Sequence, residues 1–337
     1  MQITPLNVSD ASALDNFIAL RKIIRRCDQP EAFSPNWESL RASLTTVNPD
    51  LKQVREVAWE GETMVGFFVA NFMVHENQHH ANVGIMVHPE YRRRGYGSRL
   101  MRRLLEVCAV EGRTQIAAWT TAQAEGGPYR SQGGGAFLSA HGFTLSETMH
   151  AQVAPVDYLD ASTWERLYTE AMSYAQHYEV LSWVDRIPDN LIEAFARLES
   201  TALSLMPLGQ IHLENYRMDA PRLRRLEEIR RAKGSGVCQS VARHRVSGEL
   251  VASTTFEVHA PPAGRADIGM TFVGPQHRGH RLGLAVKLAN TRHLREHFPH
   301  VSHIGTNNAH TNEHMNAINR QLGFTPVEET HEYVLKR

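Results

Sequence analysis

Val87-His88-Pro89-Glu90-Tyr91-Arg92-Arg93-Arg94-Gly95-Tyr96-Gly97 decides how this chain is read, because it returns as Val273-Gly274-Pro275-Gln276-His277-Arg278-Gly279-His280-Arg281-Leu282-Gly283. Both copies follow an apolar strand candidate, and both open a long helix candidate. Downstream of each, a short helix-like stretch ends in Gly-Phe, at Gly142-Phe143 and Gly323-Phe324. Two unlike landmarks that recur with nearly one period, about 180 residues, indicate duplication of a whole domain.

The 337 residues suffice for two cores, and the 42% hydrophobic content suits them. Lys+Arg and Asp+Glu both total 36, so the molecule as a whole has no bias towards nucleic acid or an anionic membrane. Three widely separated cysteines, Cys27, Cys108 and Cys238, lie among core-like residues and suggest reduced thiols rather than a disulfide framework. The first residues lack the basic-then-apolar order of a secretory leader, and no apolar run reaches membrane-spanning length. A cytoplasmic protein, monomeric or homodimeric, with neither membrane nor nucleic acid as partner, is expected.

Alternation predicts a strand over 2–7, and Ser9 or Asp10 can cap a helix running to Arg26. Strands follow at Val54–Glu60, Met64–Met73 and Ala81–Val87, then a helix over 96–110 with Leu100, Leu104, Leu105 and Cys108 on one face. A strand at Ile116–Trp119, a glycine-rich loop over 123–135, a helix to His141 and a strand near 145–153 complete the half. The order then repeats: a strand at Glu179–Val184, helices near 188–205 and 220–232, two strands between Val241 and His259, and a third at Ala266–Val273. A helix from 281 to 297, a strand at His303–Thr306, a helix from Asn312 to Leu322 and a strand to Leu335 finish it. The expected division is a domain at 1–156, a helical connection at 157–177 and a second domain at 178–337.

A strand, then Arg/Gln-x-x-Gly-x-Gly, then a helix is chemically suited to a diphosphate. The first helical turn has N–H groups without intrahelical partners, and its dipole favours anions. Glycine lets backbone approach a phosphate closely. Arg92, Arg93 and Arg94 add local positive charge. The spacing is neither that of a dinucleotide-binding fingerprint nor that of a P-loop, which requires Lys-Ser/Thr after the glycines.

The pattern resembles motif A of the GNAT N-acetyltransferases, and the resemblance covers nearly the whole chain as a tandem pair. It implies a mixed α/β fold, each domain a mostly antiparallel sheet flanked by helices, and acetyl-CoA or another acyl-CoA as cofactor. In such proteins the pantetheine arm lies along the strand before the loop, which implies Ile85, Met86 and Val87, and Thr271, Phe272 and Val273, as its neighbours. The pyrophosphate would lie among Arg93–Ser98, with Tyr96, Gly97 and Ser98 in the first turn, and among Arg278, Gly279, His280, Arg281, Leu282 and Gly283. The run from Asn312 to Phe324 resembles tandem members from actinobacterial specialised metabolism. The implied activity is acyl transfer to a small-molecule amine. Two other readings stand beside it: a non-catalytic acyl-CoA-binding or sensing protein, and a protein or peptide N-acetyltransferase.

Two departures bear on the chemistry. Arg281 stands where the family has a small residue, so it would either crowd a phosphate or bind one. The tyrosine often found four residues before the Gly-Phe glycine is absent, since Leu138 and Asn319 hold those positions. A thiol of pKa about 8.5 leaves tolerably without an acid, but the amine must still lose a proton. The second half has more polar equipment. Asn307 follows the motif helix, and Asn312, Asn316 and Asn319 share one helical face, suited to pantetheine or substrate. Transfer is therefore expected there, with Glu257, Asn319 and Tyr333 as catalytic candidates and Asp267, Glu313 and His314 as further bases. His75, His79 and His80, and the pair His310 and His314, are read as surface residues, so no metal is expected. Trp119 reads as packing, and the basic run 222–233 as a solvated helix face.

Overall fold

The computed structural model describes residues 1–205 and 209–337. The first half runs β1 (Gln2–Pro5), α1 (Ala11–Asp28), α2 (Trp37–Thr45), β2 (Leu51–Glu60), β3 (Thr63–Met73), β4 (His80–Val87), α3 (Tyr96–Val110), β5 (Gln115–Ala122), α4 (Gly133–Ala140) and β6 (Thr144–Pro155). α5 (Ala161–Ser173) leads into β7 (Tyr178–Val184), α6 (Ile192–Glu199), α7 (Ala220–Ala232), β8 (Gly236–His244), β9 (Leu250–Val258) and β10 (Arg265–Val273). The chain ends with α8 (Leu282–His297), β11 (His303–Ala309), α9 (Glu313–Gln321) and β12 (Thr325–Lys336). Among the described residues no helix is long and apolar enough to cross a membrane.

Local sequence explains most of these elements. Asp10 caps α1 by accepting from the Ser12 and Ala13 N–H groups, and Leu14, Phe17, Ile18 and Ile24 recur at helical spacing on its buried side. α3 buries Leu100, Met101, Leu104, Val107 and Cys108. The helix α2, capped by Asn36, has no expectation behind it: it buries only Leu44, so its apolar stripe is too thin to stand out.

All twelve strands belong to one sheet, ordered β1-β2-β3-β4-β5-β12-β6-β11-β10-β9-β8-β7. Every neighbouring pair is antiparallel except β4–β5 and β10–β11. The closing strands are exchanged. β6, expected to complete the first half, lies along β11 from Met149/Ala309 to Pro155/His303. β12, from the end of the chain, lies along β5 from Ala122/Glu329 to Gln115/Lys336. The two exchanged strands also pair with each other, which joins the halves into one continuous sheet.

On one face α3 and α4 cover the first half, with Tyr333 of β12 in the same core as Leu100, Leu104 and Leu138. α8 and α9 cover the second half, with Leu284, Leu288, Ile318 and Leu322 packed against Ile304. On the other face lie α1 and α2, and α6 and α7. There residues 209–217 of the second half run across the first. His212 exchanges hydrogen bonds with Gln115, and the Glu214 N–H donates to Asn77 Oδ1 at 2.6 Å. Arg222 of α7 reaches Glu76 at 2.7 Å and Asp50 at 3.2 Å, all three buried.

A buried polar relay ties exchanged β6 to the helices of the second half. The Lys287 amine on α8 donates to Asn319 Oδ1 at 2.6 Å, and Asn319 Nδ2 donates to Gln152 Oε1 at 3.1 Å. Gln152 Nε2 donates to Asn316 Oδ1 at 3.2 Å, and Asn316 Nδ2 ends the relay on the Ala309 carbonyl at 3.1 Å. Burial pushes the Lys287 amine from its ordinary 10.5 down to about 7. The unfolded chain then holds more protons than the folded one between those values, so this contribution to stability rises with pH across that window. In Lys287→Met the extra slope, about 1.4 kcal/mol per pH unit at its steepest, should vanish from denaturant-derived stabilities measured between pH 7 and 10. Equal slopes in the two proteins would mean that the amine stays charged in its site.

Candidate active site

The first motif forms an open anion cradle. A tight turn at Pro89–Tyr91 brings the chain off β4, and Gly95 caps α3 with φ 83°, a left-handed conformation that glycine adopts without strain. Arg93, also left-handed, is exposed with Arg94, Gly95, Ser98 and Arg99, and Tyr96 and Gly97 are half-buried. The first-turn N–H groups of α3 thus face solvent beside three free guanidinium groups. Arg92 is not one of them. It grips Asp28 at the end of α1 with two bonds of 2.7 and 2.8 Å, and its Nε donates to the Val87 carbonyl at 3.1 Å. Its position holds the loop rather than a ligand.

Beside this cradle the sheet opens. β4 and β5 are paired only from His80/Gln115 to Val83/Ala118, after which they diverge. Gly84, Ile85, Met86 and Val87 keep their β3 partners but have none on β5, so one backbone edge of β4 is free. A coenzyme A arm fits here. The free edge can pair with pantetheine amides, and the open helix terminus can take the diphosphate.

Two consecutive residues of β12 stand where the strands part. Tyr333 pairs with Ala118 and Glu332 with Trp119. Strand alternation sends them to opposite faces. Tyr333 points to α4, so close that a Cβ on Gly135 would lie 2.5 Å from its hydroxyl oxygen. The glycines of α4 make room for it. Glu332 lies on the face shared by Ala117 and Val334, beside Trp119. Burial raises its carboxyl above the usual range and Glu147 adds to the shift, while hydrogen bonds from Ser146 and Trp119 oppose it. On that same face Gly84 is open, and Met86 and Trp119 are each 40% exposed. Trp119 is therefore a groove residue, not core packing. Its apolar neighbours in sequence concealed this.

The second motif is built differently. Strands β10 and β11 also part early, after Asp267/Gly305, with an irregularity between Ile268 and Met270. But α8 starts two positions later than its counterpart, at Leu282, with Arg281 as a left-handed N-cap at φ 52°. Leu282, Gly283 and Leu284 are buried, and Leu282 packs in one cluster with Ala175 and Tyr178. The Arg281 guanidinium pairs with Glu170 and lies 4.2 Å from the Tyr174 ring centre, so it faces α5 and neither crowds nor binds a phosphate. His277 meets the Tyr178 hydroxyl at 3.0 Å and His280 the Tyr174 carbonyl at 3.1 Å. Arg278 and Gly279 are exposed, as are Pro275 and Gln276 before them. The first turn that would receive a diphosphate is covered, so this half does not fit the group as the first does.

The catalytic candidates nominated from the second half do not come together. Glu257 is exposed on β9, Asn319 is fully buried with both ends of its amide bonded in the relay, and Tyr333 stands in the first half. Asn316 is committed to the same relay, Asn312 caps α9, and Asn307 is exposed. Thr271 bonds Thr254 at 2.7 Å across two strands, with Phe272 buried and Val273 half-buried next to it. Asp267 is held by His259 at 2.6 Å and Arg265 at 2.8 Å. Glu313 and His314 are exposed on the outer side of α9. Sequence reading missed Glu332 and Gln152, which alternation marks only as ordinary strand residues. It also missed Lys287, whose signal was a lone charge in a run of small and apolar residues. Glu199, pushed up to about 7 by burial and bonded to Ser253 at 3.3 Å, ends α6 and gave no signal beyond its helix.

Comparison with known proteins agrees with this geometry. Residues 18–126 match the Acetyltransferase (GNAT) family. No curated protein matches the sequence. Among solved structures, a tandem GNAT protein from the clavulanic acid biosynthesis pathway superposes with a TM-score of 0.80 at 25% identity, covering 99% of this chain and 98% of that one. A GCN5-related N-acetyltransferase from Sphaerobacter thermophilus superposes with a TM-score of 0.65 at 14% identity, over 99% and 95% of the two chains. A protein from Pyrococcus horikoshii described as an acetyltransferase follows at 0.58 and 15%, over 100% and 89%. These last two likenesses speak for the fold alone. With a GNAT family match over residues 18–126 and a full-length likeness to a tandem GNAT protein, the chain has a tandem GNAT fold.

Proposed function

We propose that this protein is an acyl-CoA-dependent N-acyltransferase that acylates a small-molecule amine in its first half, residues 1–156 completed by β12. The carrying observation is the pair Glu332 and Tyr333, consecutive on an exchanged strand and turned to opposite faces where β4 and β5 part. Residues 178–337, completed by β6, form the second unit, joined through 157–177. Its role is to supply β12 and to cover the acceptor face with residues 209–217. That covering favours a small acceptor over an extended peptide, because the face along β5 is already occupied. Likeness to the clavulanic acid pathway protein supports specialised metabolism as the setting. A neutral overall charge and free cysteines are consistent with a cytoplasmic protein acting without nucleic acid.

In this reading the chain's residues divide the work. The first turn of α3, with Arg93, Arg94 and Arg99, holds the diphosphate, and the free edge of β4 over Gly84–Val87 aligns the acyl arm. An N–H of that edge, pointing into the gap, stabilises negative charge on the reacting carbonyl oxygen. Glu332 accepts the proton of the incoming ammonium, a task that a carboxylate made more basic by burial suits better than an ordinary one. Tyr333, on the opposite face, donates its hydroxyl proton to the departing thiolate. Met86 and Trp119 shield the acceptor from water.

One equivalent of acetyl-CoA should bind in native mass spectrometry, and Gly95→Val should weaken it about tenfold or more while the melting temperature confirms a folded protein. Two equivalents would restore the second motif as a site. In an amine screen, Glu332→Gln should lower kcat/KM roughly 10²-fold or more with the KM for acetyl-CoA kept. The acid limb of the wild-type profile should lie above the ordinary carboxylate range and disappear in this variant. Tyr333→Phe should cost less, about tenfold, because a thiol is a fair leaving group. Binding without turnover of any amine would identify an acyl-CoA-binding protein instead, and wild-type rates in both variants would move transfer elsewhere.

A further inference from the structure

At the centre of the sheet, where the two exchanged strands meet, lies a histidine cluster that acyl transfer leaves unused. His150 is on β6, Glu329 faces it directly across the pairing with β12, and His310 follows β11. The His310 N–H donates to the Thr148 carbonyl at 3.1 Å, which fixes its backbone beside β6. Alternation puts all three side chains on one face, in the gap between α4 and α9. The imidazoles of His150 and His310 are 3.7 Å apart between ring centres, inclined at 38°. One donor atom from each of His150, His310 and Glu329 lies within 4.8 Å of the other two. His150 Nδ1 is fully buried and has no hydrogen-bond partner. Such an orphan costs about 1–3 kcal/mol unless something fills its lone pair.

We propose that His150, His310 and Glu329 bind one divalent transition-metal ion of the zinc class, fastened across the seam of the two halves. Two imidazoles and one carboxylate suit zinc and its neighbours, whereas calcium and magnesium prefer all-oxygen sets. Three protein ligands leave a position for water. His310 is exposed, so rotation of its side chain can bring the three donor atoms to zinc-ligand spacing. His331 holds the carboxylate from behind, its Nε2 2.9 Å from Glu329 Oε2, as groups behind a metal's ligands commonly do. The three ligands come from β6, the end of β11 and β12. The ion would therefore clamp the exchange itself, and the inference does not depend on where acyl transfer occurs.

The test is titration of chelator-treated full-length protein with zinc chloride, read by native mass spectrometry, by calorimetry and by melting temperature, with cobalt(II) as a spectroscopic probe. Expected are one zinc ion per chain, a raised melting temperature, and cobalt absorption typical of histidine and carboxylate ligation. His310→Ala, which changes an exposed side chain, should keep the fold and weaken zinc by about 10–100-fold or more. His293, Glu296 and His297 form another surface grouping, on α8, and provide the control. His297→Ala should leave zinc affinity unchanged. The proposal is overturned if wild type binds no zinc at micromolar concentrations, if His310→Ala binds as wild type does, or if His297→Ala is the variant that loses the ion.

Discussion

The antiparallel pairing of β12 with β6 is the contact on which the rest of the molecule depends. Each of these strands also closes the opposite half, β12 along β5 and β6 along β11, so neither half has a complete sheet from its own residues. A lone half would leave β5 or β11 with a bare edge, which is unfavourable for a soluble sheet. The exchange therefore makes one cooperative unit of two duplicated domains. Other contacts specify its register. Arg222, Glu76 and Asp50 bring three charges from both halves into a buried site. Removing Arg222 leaves the buried Glu76 carboxylate without its guanidinium partner, a cost of about 3–5 kcal/mol. The network thus penalises misassembly more than it rewards correct assembly.

Duplication supplied two similar loops, and packing made them different. In the first, Gly95 and Ser98 at the start of α3 are exposed. In the second, α5 and the start of β7 lie where solvent would otherwise be, and Leu282 follows Arg281 into an apolar cluster. By size and charge alone Arg281 would either crowd a phosphate or bind one. Here its side chain is withdrawn to Glu170 and Tyr174. The element that closes the second site, α5 with the start of β7, lies outside the motif, so no comparison of the two motifs alone could reveal it. A complementary difference appears at α4 and α9. Gly135 and Leu138 admit a tyrosine ring, whereas Asn316 and Asn319 meet a glutamine and extend its bonds to Lys287.

Helices and strands were legible because they are local. Loop glycines with their offsets, the apolar face of α3 and the alternation of β3 and β4 all depend on residues a few positions apart. The partner of a strand is not local. β12 alternates as it would beside any neighbour, so Tyr333 was expected in the second half, whereas it pairs with Ala118 in the first. Of the three amides expected on one helical face, Asn316 and Asn319 share it, while Asn312 caps α9. What they face is Gln152, brought from β6 at a separation of more than 160 residues. Arg92 had the right charge for a phosphate, but Asp28, at the far end of α1, claims it first. In each case chemistry was readable and the partner was not, because partners are chosen by topology.

A single register decides what the exchanged strand can do. Along β5, β12 is paired without interruption from Glu329 to Lys336, whereas along β6 its register shifts between Glu332 and Tyr333. The irregularity is confined to the side away from the acyl groove, so β5 fixes which residue meets Ala118. A slip of one residue on β5 would send the carboxyl of Glu332 into the apolar space among Leu100, Leu104 and Leu138, and Tyr333 out beside Trp119. Burying an unpaired carboxylate there is costly enough that the slipped form has no support. The apolar packing of Tyr333 and Leu335 on one face thereby orients Glu332 on the other. Core burial of Tyr333 and placement of Glu332 are the same constraint, met by one strand.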